Sequence, residues 1–271
     1  MSSWLLAIIL AVAALATSTL SGILGMGGGM LLLAVLFGVM PHAEAIPTHA
    51  AVQIVSNSTR VLAFRRNVDW PTLGRFTIGV VPGSAMGIVI LATIGRPEDS
   101  DPYLKMLVGV FILITTFLPR PRTRGGESTI STTHESAART AHGPWWDFPL
   151  LGLAAGVAGL TIGAVGPLLA PMFARRAFVK ERLIATKAIC QMVTHVIKIP
   201  AFIFVADLDV ARLGGVTLVM CLAVVPGTLL GRRLLKRVSD RHFVLAYRVA
   251  LVAAGVKVLL WDGVFRLVRG F

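Results

Sequence analysis

The chain has 271 residues, 55% of them hydrophobic and 14% charged, with a formal net charge of +13. A soluble domain carries about 25% charged residues, so this composition excludes an ordinary soluble protein. The basic loops suit an anionic membrane surface and give no sign of nucleic-acid binding; Cys190 and Cys221 both lie in apolar runs, which leaves no disulfide framework to argue from.

In chain order, apolar segments are expected at about 4–22, 26–38, 46–64, 73–95, 103–118, 148–162, 165–174, 183–206, 213–231 and 243–261. Many are long enough for the roughly 20 residues that cross a bilayer. The first, "WLLAIILAVAALATS", resembles a signal h-region but lacks a basic n-region, and "FPLLGLAAGVAGLTIGAVG" echoes it later, so it is read as a mature segment. The stretch 119–144 is rich in Ser, Thr, Gly, Pro and Arg and reads as a polar linker. The expected fold is all-α, a polytopic transmembrane bundle of about eight spans plus glycine-broken half-helices. Residues 1–118 and 145–271 form its two repeats.

The repeats are visible in the letters. "GMGGGM" at 25–30 returns as "GAVGPL" at 163–168, an offset of 138, and "VPGSAMG" at 81–87, read as a Pro-Gly turn, returns as "VPGTLLG" at 225–231. At the offset of 138, His49, Gln53, Asn57 and Arg60 correspond to Lys187, Gln191, His195 and Lys198. Each set is spaced 4, 4 and 3. On a helix of about 100° per residue, four such positions fall within roughly 80°. The chain therefore carries a cationic polar stripe twice. Duplication of this kind is a common plan for secondary transporters, with the site where the repeats meet.

Loop charges bear on orientation. In the first half Arg65, Arg66 and Arg75 follow the third segment, and the basic linker follows the fifth. In the second half the basic residues have moved to the opposite connections, with Arg175, Arg176, Lys180 and Arg182 before the stripe and Arg232, Arg233, Lys236, Arg237 and Arg241 after the ninth segment. The positive-inside rule places such loops in the cytoplasm. An inverted repeat satisfies the rule in both halves; a parallel four-plus-four arrangement remains the alternative.

All thirteen acids lie in loops or near expected span ends, whereas Arg60, Lys187 and Lys198 fall in or near spans. A charge at the bilayer centre costs about 2.5 to 3.5 kcal/mol even on lenient scales, and a bound anion or a wet cavity would compensate. Lys257 and Arg248 are expected only to snorkel to the interface. The glycine turns, Gly25, Gly27, Gly28 and Gly29 in one half and Gly163 and Gly166 in the other, would free backbone N–H groups at the start of a short helix, where anions are favoured. Close packing through small residues is the competing explanation. "GMGGGM" lacks the Lys-Ser/Thr of a P-loop and the strand context of a dinucleotide site. Neither a zinc ligand spacing nor a carboxylate pair is present, so neither cofactor nor enzyme activity is expected. His49 and His195, whose ordinary pKa lies near neutrality, are the candidates for proton coupling.

The stretch "GILGMGGGMLLLAVLFGVMPHAEAIPTHAAVQIVSNSTRVLAFRRNVDW" resembles the first repeat of the TauE/SafE sulfite exporter family, and "ATKAICQMVTHVIK" is similar to that family's second-repeat helix. The resemblance runs from about residue 45 to 240 and departs at Asn67, where the family's exit motif has glycine, and at the reduced second glycine cluster. It implies a multi-pass protein of the bacterial inner membrane that carries sulfite, sulfonates or related organic acids. The residues themselves indicate a small anionic substrate; sulfur comes from the resemblance. An anion channel, and a membrane enzyme acting on a lipid phosphate, are the alternatives.

Overall fold

A computed structural model of the chain describes residues 3–24, 28–93, 97–117, 144–175, 180–205, 210–234 and 240–269. Gly25, Gly27 and nearly all of the linker lie outside the described residues. Every regular element described is a helix: α1 Ser3–Leu24, α2 Gly28–Phe37, α3 His42–Ala63, α4 Trp70–Thr93 and α5 Pro97–Phe117, then α6 Asp147–Thr161, α7 Gly166–Arg175, α8 Lys180–Val205, α9 Val210–Leu234 and α10 Asp240–Val256. A 3₁₀ turn, Arg65–Asn67, joins α3 to α4, and α10 runs on through a π-helical stretch, Lys257–Phe265. Among the described residues, α1, α4, α8 and α9 contain helices long and apolar enough to cross a membrane by length and composition.

The lengths follow from the sequence. Ten-residue α2 and α7 begin at Gly28 and Gly166, the same position of each glycine cluster. The α2–α3 connection is closed by Gly38 and Met40 N–H groups donating to Val35 and Leu36 carbonyls, and Pro41 then precedes α3 with φ −59°, a value proline favours. The expected Pro-Gly turns are not turns. Pro82 and Pro226 lie inside the continuous helices α4 and α9. A proline is tolerated there because neighbouring helices re-satisfy the freed carbonyl.

The glycines around each proline show why these motifs recur. Gly79 and Gly83 of α4 press on the α6 backbone at Pro149 and Leu153, and Gly87 faces Val157 and Leu160. In the same way Gly227 of α9 meets Leu15 and Ser18 of α1, and Gly231 meets Thr19 and Gly22. Small residues let two backbones approach closely where lipid offers no hydrophobic drive. Both pairs run parallel, since numbers rise together along each contact. By contrast α3 and α8 run antiparallel: His49 lies beside His195, Ser58 beside Met192 and Asp69 beside Thr186.

Half-helix α2 is enclosed, with Leu32, Leu33, Leu36 and Phe37 fully buried in the main apolar core. A second core joins Phe76, Val80, Phe148, Phe173 and Cys190. The outer faces are also apolar, as Trp4, Ile8, Val12, Ile78, Val89, Leu218 and Leu222 all lie exposed. Such a surface suits lipid better than water.

Candidate functional site

Both polar stripes face inward. His49, Gln53, Asn57 and Arg60 on α3, and Lys187, His195 and Lys198 on α8, are buried, while Gln191 is partly buried. The antiparallel pairing brings them together. The rings of His49 and His195 meet edge-on with centroids 5.5 Å apart.

A small cavity lies at this meeting point, lined by His49, Gln53 and Arg60 from one stripe, Gln191 and His195 from the other, and Gly29 and Gly166 from the starts of α2 and α7. Its free space of about 20 Å³ is enough for one water. The two half-helix starts and the two glutamines form matched pairs. A Cβ on Gly29 would lie 3.0 Å from Gln53 Nε2, and one on Gly166 would lie 3.0 Å from Gln191 Nε2. Glycine thus lets each glutamine amide sit against the start of its own half-helix, where unpaired N–H groups carry partial positive charge.

The histidines are held differently. His49 Nε2–H donates to the Gly29 carbonyl at 2.9 Å, and its Nδ1 is buried without a partner. His195 Nδ1 accepts from Lys198 Nζ at 3.2 Å, which leaves Nε2 as the protonated nitrogen. Lys198, fully buried, also donates to the Gly163 carbonyl at 2.6 Å. Gly163 needs to be glycine, because its φ of +84° is the left-handed region.

Arg60 is tied down by its own helix. One terminal nitrogen donates to Asn57 Oδ1 at 3.0 Å and the other to Ser56 Oγ at 2.9 Å, while Nε is buried and unpartnered. Ser56 in turn lies 3.1 Å from Thr228 Oγ1 on α9. Arg60 is therefore a fixed fork whose Nε is left unpartnered, and the Asn57 amide nitrogen is likewise buried without a partner.

The structure places the expected residues unequally. His49, Gln53, Arg60, Gln191, His195, Gly29 and Gly166 line the cavity; Lys187, Lys198, Asn57, Gly28 and Gly163 do not. Gly28 packs on Thr17 and Ser21 of α1, and Gly163 packs on Ile46 and Leu33. Lys187 is buried on α8 away from the wall. Sequence reasoning missed Ser21, which lines the cavity, and the Ser56–Thr228 pair that supports Arg60. The hydroxyl run Thr17, Ser18, Thr19 and Ser21 in an apolar helix was the available signal.

One expectation about cations needs correction. Lys257 does not merely snorkel, because its ammonium pairs with the buried Asp262 at 2.7 Å. Lys198 and Arg60 are buried. No group of three or more metal-ligating residues occurs among the described residues. The cavity wall carries donors from both halves and no carboxylate. Donors with no opposing carboxylate suit a negatively charged group better than a cation, and the space as it stands admits one water.

A family model described as sulfite exporter TauE/SafE matches residues 9–258, well beyond the stretch that carries the resemblance in the sequence. No curated protein and no solved structure matches the chain.

Proposed function

The chain belongs to the TauE/SafE sulfite exporter family, a family of membrane transporters, and from that premise we propose that it is a secondary transporter of small anions. The substrates are sulfite, sulfonates or related organic acids, and the membrane is the bacterial inner membrane, crossed many times. The eight helices α1, α3, α4, α5, α6, α8, α9 and α10 span, and the half-helices α2 and α7, which enter from opposite sides, complete a fifth crossing in each half, the odd count that inversion needs. The halves 1–118 and 145–271 are inverted repeats. Two observations support this reading. Helices α3 and α8, which carry corresponding stripes, run antiparallel, and helix one of each half packs along helix four of the other.

Inversion also explains the charges. Phe64 at the end of α3 meets Arg232 at the end of α9, and Asp69 meets Arg182 at the start of α8. The basic connections of both halves thereby share one face, which the positive-inside rule assigns to the cytoplasm.

The observation that carries the function is the carboxylate-free cavity where two half-helix starts and two stripes converge. His49, Gln53, Arg60, Gln191 and His195 bind the anion there, with Asn57, Lys187 and Lys198 supplying charge and donors behind them. The test is labelled sulfite and sulfonate flux in proteoliposomes, comparing wild type with His195→Ala and Lys187→Ala. Saturable flux that both substitutions abolish, in protein that stays folded, supports the stripe as the anion site. Flux indifferent to both makes the stripe structural. Flux that does not saturate and needs no coupled ion makes the protein a channel, and product formation in detergent makes it an enzyme.

A further inference from the structure

We propose that the space between α1, α3, α8 and α9 is a second anion site, an outer vestibule that passes a small oxyanion between Arg232 at the surface and Arg60 at the central cavity. Arg60 lines both spaces, so the two chambers share one residue. Beyond it the outer space is bounded by Gly22, Phe64, Ile184, Thr228 and Arg232. Its wall holds two arginines and no carboxylate. The leftover Arg60 Nε belongs to a side chain only 6% exposed, which makes this a built site rather than a surface groove.

The mouth is closed in this structure. The Arg232 guanidinium sits over the Phe64 ring, 4.9 Å from its centroid. The free space behind it is about 10 Å³, at the lower limit for one water. An oxyanion enters when Arg232 lifts from the ring and takes the anion as a bidentate partner instead. Arginine suits both roles, because its flat, weakly hydrated fork stacks on aromatic faces and matches the oxygens of an anion. The small side of the passage is supplied by Gly22. Thr59 and Thr228 hydroxyls flank Arg60, one donating to the Val55 carbonyl and the other paired with Ser56.

The vestibule goes beyond the transport reading and can be tested apart from it. Sulfite is titrated calorimetrically into detergent-solubilised wild type, Arg232→Ala, Arg232→Lys, Phe64→Leu and Arg233→Ala, with sulfite flux measured on the same preparations. Arg233, the exposed neighbour, controls for general surface charge. The expected result is two sulfite sites in wild type and Arg233→Ala, and one in Arg232→Ala. Half-saturation of flux from the Arg232 face rises about tenfold in Arg232→Ala, with maximal flux kept within twofold. Arg232→Lys and Phe64→Leu fall between. One site in wild type, or equal effects of Arg232→Ala and Arg233→Ala, overturns the vestibule and leaves the transport reading standing. Arg232-dependent binding without flux supports the vestibule and sinks transport. Absence of any sulfite binding overturns both.

Discussion

The two stripes share one spacing and end in a cation, yet the cations do opposite things. Arg60 keeps a buried, unpartnered Nε and lines two separate spaces. Lys198, 138 residues later, lines neither space and spends its ammonium on the Gly163 carbonyl and His195. Toward α9 a second small space lies under the Arg232–Phe64 contact; at Gly163 the side chains of Ile46 and Leu33 pack close. Repeated sequence can therefore yield unequal halves in any one conformation, as a transporter that opens one side at a time requires. The glutamines make the same point in reverse. Gln53 and Gln191 keep matched seats against their own half-helices, so asymmetry lies at the stripe ends and symmetry at the centre.

The sharpest way to break this comparison is to exchange the cations. Arg60→Ala and Lys198→Ala should each lower sulfite flux about 10- to 100-fold, as loss of a charged hydrogen bond is worth about 1.5–3 kcal/mol. Arg60→Lys should retain part of the flux, since an ammonium keeps the charge but not the fork to Asn57 and Ser56, and Lys198→Arg should lose nearly all of it, since Gly159 and Gly163 crowd the Lys198 side chain. Equal behaviour of the two conservative changes would erase the distinction drawn between the ends.

Packing offers the next test. Gly83→Leu forces a side chain into the α6 backbone at Leu153, whereas Gly74→Ala meets open space. Overpacking costs about 1–3 kcal/mol, so the thermal unfolding temperature in detergent should drop by several degrees for the first and stay put for the second. A smaller effect probes the symmetric centre: Gln53→Ala and Gln191→Ala should raise half-saturating sulfite by about fivefold each, near the net worth of one hydrogen bond. A large inequality between them would extend the asymmetry into the centre. Smallest of all should be Asp69→Asn. Its partner Arg182 is half exposed, although the carboxylate itself is nearly buried, and the isosteric amide keeps the Oδ1 that accepts from the Thr72 N–H, so the unfolding temperature should move less than for Gly83→Leu.

Much of the fold and of the candidate site's placement was legible in the chain. The 4-4-3 spacing named the inward faces of α3 and α8, and the glycine clusters named the starts of α2 and α7. The remainder depended on geometry that spacing does not encode. Pro82 and Pro226 read as turn residues, because local chemistry favours turns at Pro-Gly, but close neighbours α6 and α1 hold those segments helical. Lys187 shares its stripe with Gln191 yet misses the cavity, since a stripe tells which way a side chain points and not how far the cavity extends. The Lys257–Asp262 pair was invisible for a different reason. Residues five apart do not face each other on an α-helix, and only the wider π-helical turn at Lys257–Phe265 brings them together.

The glycine-lined seams carry one last consequence. Helix α1 is locked along α9 and α4 along α6, so each tight seam is built from one helix of either half. Any motion that keeps these seams whole therefore runs between composites of both halves, and not between the halves into which the chain divides at its linker. Cutting the chain within the linker should leave the seams intact, so two separately produced fragments should reassemble into one working molecule.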